Sequence, residues 1–201
     1  MKLLFRPTFP PIVLAALFAL PLMTGCSTAM TSPHTQLGEG DVVRNTFPLK
    51  FKMHNFGAYC FNAKECKVLY AGMYHVRKDE NETSPPPLPD YLNRMSASTI
   101  AIDNFPPPAI VTWRSMDGAY HEANIDIGTI FKDQRILHHV PEDQIPVETA
   151  AFDAANIILV VNDRTISVYM KTTIYLNKPR NPSNPLSNTS HEITLAYSRT
   201  Y

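Results

Sequence analysis

Ser115, Asp117 and His121 fall within one seven-residue stretch, and they are the residue types of a nucleophile, a carboxylate and a general base. Between them, Met116-Asp117-Gly118-Ala119 reads as a tight turn, because Asp and Gly tolerate positive φ. A turn Asp ordinarily bonds its own backbone, and His121 begins the polar side of a strand. Tight hairpin geometry therefore predicts no hydrogen-bond chain among the three, and nothing marks an oxyanion hole. His138-His139 is the other conspicuous pair. Neighbours on a strand point to opposite faces, so both could grip one metal only from a loop, and no carboxylate or third histidine stands at regular spacing. Gly-x-Ser-x-Gly, His-Glu-x-x-His, phosphate-loop and dinucleotide patterns do not occur. We expect no enzyme, no metal and no cofactor.

The three cysteines point to an envelope setting. Residues 22–26 read Leu-Met-Thr-Gly-Cys, behind a basic start (Lys2, Arg6) and an apolar run from Ile12 to Leu22. A charged start, a short apolar stretch and small residues before the cut describe a secretory signal. With the cut before Cys26 the pattern resembles a bacterial lipobox, which implies a signal peptide over 1–25, lipidation of Cys26 and anchoring by its acyl chains. By resemblance to other lipoproteins, Ser27 after the cysteine, rather than Asp, implies the outer membrane, facing the periplasm. The apolar run is too short to span about 30 Å of hydrocarbon. Cys60 and Cys66, with five residues between them, read as a disulfide in an oxidising compartment. Closing so short a loop would contribute about 2 kcal/mol. A thiol or metal pair is the alternative, although Cys-x-x-Cys spacing and a second pair are both missing.

Lys plus Arg and Asp plus Glu are 18 each, so there is no basic field to hold nucleic acid. With 18 prolines and a modest charged fraction, the chain reads as loop-rich and globular rather than disordered. Residues 26–46 comprise the lipidated cysteine and a stretch without apolar periodicity, expected to be a tether. Residues 47–201 are expected to form one domain.

Within that domain the period is two. Phe47, Leu49, Phe51 and Met53 alternate with Pro48, Lys50, Lys52 and His54 as in a half-buried strand. Val68–Val76 reads as one strand, and Asp79–Asp90, with four prolines, as a long loop. A helical turn is expected at Tyr91–Met95 and a short strand at Thr99–Ile102. Ala109, Val111 and Trp113 share a face of the strand entering the Asp117-Gly118 turn, and Ala123, Ile125 and Ile127 one of the strand leaving it. The apolar run Asn156–Val161 predicts a strand covered on both faces. It turns at Asn162-Asp163-Arg164 into an alternating strand, Thr165–Leu176. Ile193, Leu195 and Tyr197 predict an inward-facing final strand. The expected class is mainly β, an antiparallel β-sandwich or a strongly β α+β single domain with long Pro-rich loops.

Three segments carry a family likeness: Val111-Thr112-Trp113-Arg114-Ser115-Met116-Asp117-Gly118-Ala119-Tyr120-His121-Glu122-Ala123 with its continuation to His138, Asn162–Met170, and Ser198-Arg199-Thr200-Tyr201. They resemble a family of small bacterial lipoproteins that accompany type VI secretion phospholipase effectors as periplasmic immunity proteins. The resemblance implies stoichiometric binding of a secreted phospholipase, with no chemistry of its own, and its motifs are structural in type. Anchors for such a partner are expected among Arg114, Met116, Asp117 and Tyr120 at the hairpin tip, or Arg77, Lys78, Asp79 and Glu80 beside the proline loop, because interface energy concentrates in a few aromatic and arginine side chains. A structural or assembly lipoprotein of the envelope, and a small-ligand binder, stay open as alternatives.

Overall fold

Apolar residues at every second position build two stacked sheets. The computed structural model describes residues 42–150 and 155–201. The expected signal peptide, Cys26 and the tether residues up to 41 lie outside the described residues.

The first strands are β1 (Val42–Arg44), β2 (Met53–Phe61), β3 (Ala63–Tyr70) and β4 (Met73–Ser84). The short helix α1 (Tyr91–Arg94) leads to β5 (Thr99–Asp103), and the hairpin β6 (Ala109–Ser115) and β7 (Tyr120–Ile125) follows. After α2 (Ile127–Ile130) come β8 (Glu148–Ala150), β9 (Ala155–Asn162), β10 (Thr165–Tyr175) and β11 (Thr189–Thr200). One sheet has the order β11-β10-β9-β2-β5, the other β4-β3-β6-β7, and β1 pairs with β8 apart from both. The domain is mainly β and sandwich-like. Its ladders are antiparallel except β2–β9, which is parallel and joins distant parts of the chain.

The core between the sheets is built from alternating residues: Phe56 of β2, Val68 and Tyr70 of β3, Val111 and Trp113 of β6, Ile157 and Leu159 of β9, and Ile166, Val168 and Met170 of β10. The reason β9 reads as a continuous apolar run lies on its other face. There Ile158 and Val160 pack under Met95, with Tyr91, Leu92 and Ala97 beside them. This cover is clamped by Lys171 of β10, whose ammonium donates to the carbonyls of Leu92 at 3.0 Å and Asn93 at 3.1 Å and to that of Met95. A cation is favourable at a helix C-terminus, although burial lowers the Lys171 pKa.

Cys60 and Cys66 are joined, with their Cα atoms 6.5 Å apart, and tie β2 to β3 where the chain crosses between sheets. His54 is wholly buried in the same core, between Asn104 Oδ1 at 2.7 Å and the Tyr70 hydroxyl at 3.0 Å. Burial lowers its pKa, the Asn104 bond opposing.

Several expectations need correction. Ordered pairing begins at Val42, inside the stretch expected to be tether, because β1 pairs with Glu148–Ala150. Phe47–Lys52 is not a strand: Leu49 and Phe51 are buried but the phase breaks at Met53, which is exposed, so His54 faces inward instead. Val68–Val76 is a hairpin, not one strand, turning at Ala71-Gly72 with φ of 50° and 77°. The strand β4 then runs to Ser84, so the proline loop is shorter than expected. Finally, a bulge opposite Val168–Tyr169 reverses the phase of β11, leaving Leu195 exposed while Ala196 and Tyr197 pack on the core.

Candidate functional site

The hairpin β6–β7 has one buried and one solvent face. Val111, Trp113 and Ser115 point inward, so Ile110, Thr112 and Arg114 point out, opposite Asn124, Glu122 and Tyr120. Arg114 lies 5.5 Å from the centre of the Tyr120 ring, and Tyr120 is 52% exposed. On the far side of β3, Arg77 of β4 stacks at 5.5 Å over Tyr74, which is equally exposed.

The strand between them joins the two groups. Glu65 is a bulge residue of β3 with φ of 49°. Against it β4 carries the excursion Asp79-Glu80-Asn81-Glu82, set between Lys78 opposite Cys66 and Thr83 opposite Lys64. Arg114 Nε donates to Glu65 Oε2 at 3.2 Å. Lys67 Nζ then lies 3.6 Å from Glu65 Oε1 and 3.1 Å from Asp79 Oδ1. The Asp79 bond is the main cause of a raised Lys67 pKa. Such solvent-screened pairs contribute little to stability. What they do is orient: four side chains from three strands hold one another across the outer face of the four-stranded sheet.

Of the expected anchors, Arg77, Asp79, Arg114 and Tyr120 are thus brought onto one face, and Glu80 is exposed on the adjoining excursion. Lys78 is not with them. It stands opposite Cys66, turned inward, and donates to Ser84 Oγ at 3.1 Å. Met116 is exposed at the hairpin tip, and Asp117 is engaged within the turn. Glu65 and Lys67 were missed by sequence reading. The Lys-Glu-Cys-Lys stretch marks them only as polar neighbours of a cysteine.

The expectation that Ser115, Asp117 and His121 form no hydrogen-bond chain is overturned. Ser115 Oγ is 2.5 Å from Asp117 Oδ1 and 2.9 Å from His121 Nε2. The order is not that of a triad, however, because the serine stands in the middle. Its single hydroxyl proton goes to the carboxylate, so His121 Nε2–H donates to the serine rather than accepting its proton. Ser115 is wholly buried and His121 is stacked on Trp113 at 4.9 Å. Ser115, with the Ala119 N–H, holds the Asp117 carboxyl below the usual carboxylate range. The chain of bonds shapes the hairpin tip.

The tip is pinned to the other sheet by the β9–β10 turn. Trp113 Nε1–H donates to the Asp163 carbonyl at 2.7 Å, and the Met116 N–H to Asp163 Oδ1 at 2.8 Å. Tyr201 packs edge-on against Trp113 at 5.4 Å and donates its N–H to the Arg164 carbonyl. Residues 111–123, the β9–β10 connection and the C-terminal Ser198–Tyr201 therefore meet at one end of the sandwich. His138 and His139 lie at the other end. His139 bonds Glu192 while His138 faces away, and no group of three metal-ligating side chains exists among the described residues.

No family model, no curated protein and no solved structure matches this chain. What the fold and the site define is a class: a disulfide-bonded, mainly β, two-sheet domain whose four-stranded sheet presents an organised face to solvent.

Proposed function

We propose that this chain is an outer-membrane-anchored periplasmic lipoprotein that binds and neutralises a type VI secretion phospholipase effector, acting by stoichiometric protein–protein inhibition. The observation that carries the reading is the Arg114–Glu65–Lys67–Asp79 chain of charges, flanked by the two arginine-stacked tyrosines. Residues expected separately to be anchors share one face, and their side chains are ordered before a partner arrives. Preordering lowers the entropy cost of binding, and tyrosine and arginine are the types that dominate interface energy. The resemblance of Leu22–Cys26 to a lipobox supports the compartment, and the resemblance of residues 111–138, 162–170 and 198–201 supports the partner class.

The test is titration of soluble protein, from Ser27 onward, into any lipase-like hydrolase found encoded beside it, following binding and lipid hydrolysis together. Nanomolar 1:1 binding with loss of hydrolysis, weakened by Tyr120→Ala or Arg77→Ala, supports the reading. Failure to bind any neighbouring effector removes it and leaves a structural partner in the envelope, to be found by crosslinking.

A further inference from the structure

The end of the sandwich away from the hairpin tip carries a second organised group. Glu192 stands opposite Thr172, seven positions along β10 from Thr165 and so roughly 23 Å from the turn that holds the tip. Here a cavity of about 680 Å³ is lined by His139, Asp143, Leu176, Lys178, Arg180 and Glu192, among others. That volume lies in the range of sites for small organic ligands.

A wholly buried serine organises its wall. The Ser190 hydroxyl donates to Glu192 Oε1, so its lone pair is left to accept from Arg180 Nη2. Glu192 Oε2 accepts from the His139 N–H at 3.3 Å and pairs with His139 Nδ1 at 3.1 Å. Both carboxylate oxygens of Glu192 are therefore occupied. The Arg180 guanidinium is held by one amino group, and among the described residues its other N–H donors have no partner. Among the described residues neither Arg180 nor Lys178 lies within ion-pair distance of a carboxylate. Asp143 is the one lining carboxylate outside this arrangement. A fixed guanidinium with free donors matches the paired oxygens of a carboxylate or phosphate.

We infer that this cavity is a binding site for a small organic anion, a carboxylate or a phosphate monoester, with Arg180 and Lys178 donating to its anionic oxygens and Leu176 against its carbon skeleton. The site is separate from the partner face and does not depend on the function proposed for it.

The experiment is an amide-resolved NMR titration of the folded protein with glycerol phosphate and, separately, with succinate, at constant ionic strength with sodium chloride as control. The result expected is a saturable shift of amides in 139–144, 176–180 and 190–192, at about millimolar affinity. Arg180→Ala and Lys178→Ala should each weaken it by about tenfold. Asp143→Asn should tighten it, by removing a like charge, while Tyr120→Ala leaves it unchanged. Saturation by glycerol phosphate alone assigns a phosphate ligand, and by succinate alone a carboxylate. Overturning results are shifts that sodium chloride reproduces, no saturation with either anion, or binding indifferent to Arg180→Ala. Arg180 is exposed, so its variant folds, and an unchanged spectrum away from the cavity verifies this.

Discussion

Replacing Asp163 tests how the two sheets fix the hairpin tip. Asp163 has φ of 53° in the connection between β9 and β10, and its Oδ1 accepts the Met116 N–H at 2.8 Å. Its carbonyl, which takes the Trp113 indole N–H, survives any side-chain change. Asp163→Ala therefore removes one hydrogen bond, a net loss of about 0.5–1.5 kcal/mol. It also puts a plain Cβ residue in the left-handed region, at roughly 1 kcal/mol. The sum is about 2 kcal/mol. With a urea slope of about 1–3 kcal/mol per molar the unfolding midpoint should fall by about 1 M. Asp163→Asn keeps an acceptor and tolerates the left-handed region, so it should stay within about 0.5 kcal/mol of the parent. Amide exchange at Met116 should quicken in the alanine variant and not in the asparagine one. Equal losses from Ala and Asn, or an unmoved Met116 amide in Asp163→Ala, would refute the pin.

Lys171→Met removes the donor shared by three carbonyls over β9, and should cost about 2–3 kcal/mol in urea unfolding and speed proteolysis within 91–97; protection unchanged there would mean that apolar packing alone holds the cover. His54, buried neutral, has its pKa lowered by desolvation, so below about pH 6.5 the unfolded chain binds the proton that the folded one refuses. Its contribution is present above the unfolded pKa and is lost as the pH falls through the unfolded pKa towards the lower folded one. His75, also lowered by burial, acts in the same direction. His54→Phe should flatten that slope in urea melts at successive pH values, even if it lowers stability at pH 7, and an unchanged slope would place the acid sensitivity elsewhere. Glu65→Gln should change stability by no more than about 1 kcal/mol yet weaken calorimetric binding of the proposed phospholipase partner; a large stability loss would make the charge chain a structural element instead.

The sandwich was legible where burial was one-sided. Ala109, Val111 and Trp113 alternate cleanly because Ile110, Thr112 and Arg114 face water, and Ile166, Val168 and Met170 do the same on β10. Reading failed where one residue changed the phase. The φ of 50° at Ala71 turns a β-branched run into a hairpin, and nothing in an alanine announces a left-handed conformation, although Gly72 beside it was a usable signal. The bulge on β11 exposes Leu195 through a residue count that only pairing with β10 reveals. His54 was assigned to solvent on polarity, and its burial depends on Asn104 and Tyr70, fifty and sixteen positions away.

The candidate face was legible in its parts and not in its assembly, and the difference is one of register. Arg114 and Tyr120 are close because a tight turn makes them so, which sequence can state. Arg77 and Asp79 sit on β4, separated from Arg114 by β3, and only the strand order β4-β3-β6 places them on one sheet. Even then, regular pleating would alternate Lys64, Glu65, Cys66 and Lys67 between faces, with Glu65 and Lys67 sharing a side and Cys66 opposite. The bulge at Glu65 instead inserts one residue, so that Lys64 stands opposite Arg114 on the same outer face as Lys67, and the matching excursion of β4 brings Asp79 within reach of Lys67. Cys66 sets this arrangement indirectly, because its bond to Cys60 holds the start of β3 against β2. The disulfide expected as a mere staple thus lies beside the irregularity that joins the two arginine–tyrosine pairs. Reducing it should quicken amide exchange at Glu65 and Lys67 before it does so at Trp113 on β6, and equal quickening at all three would refute this.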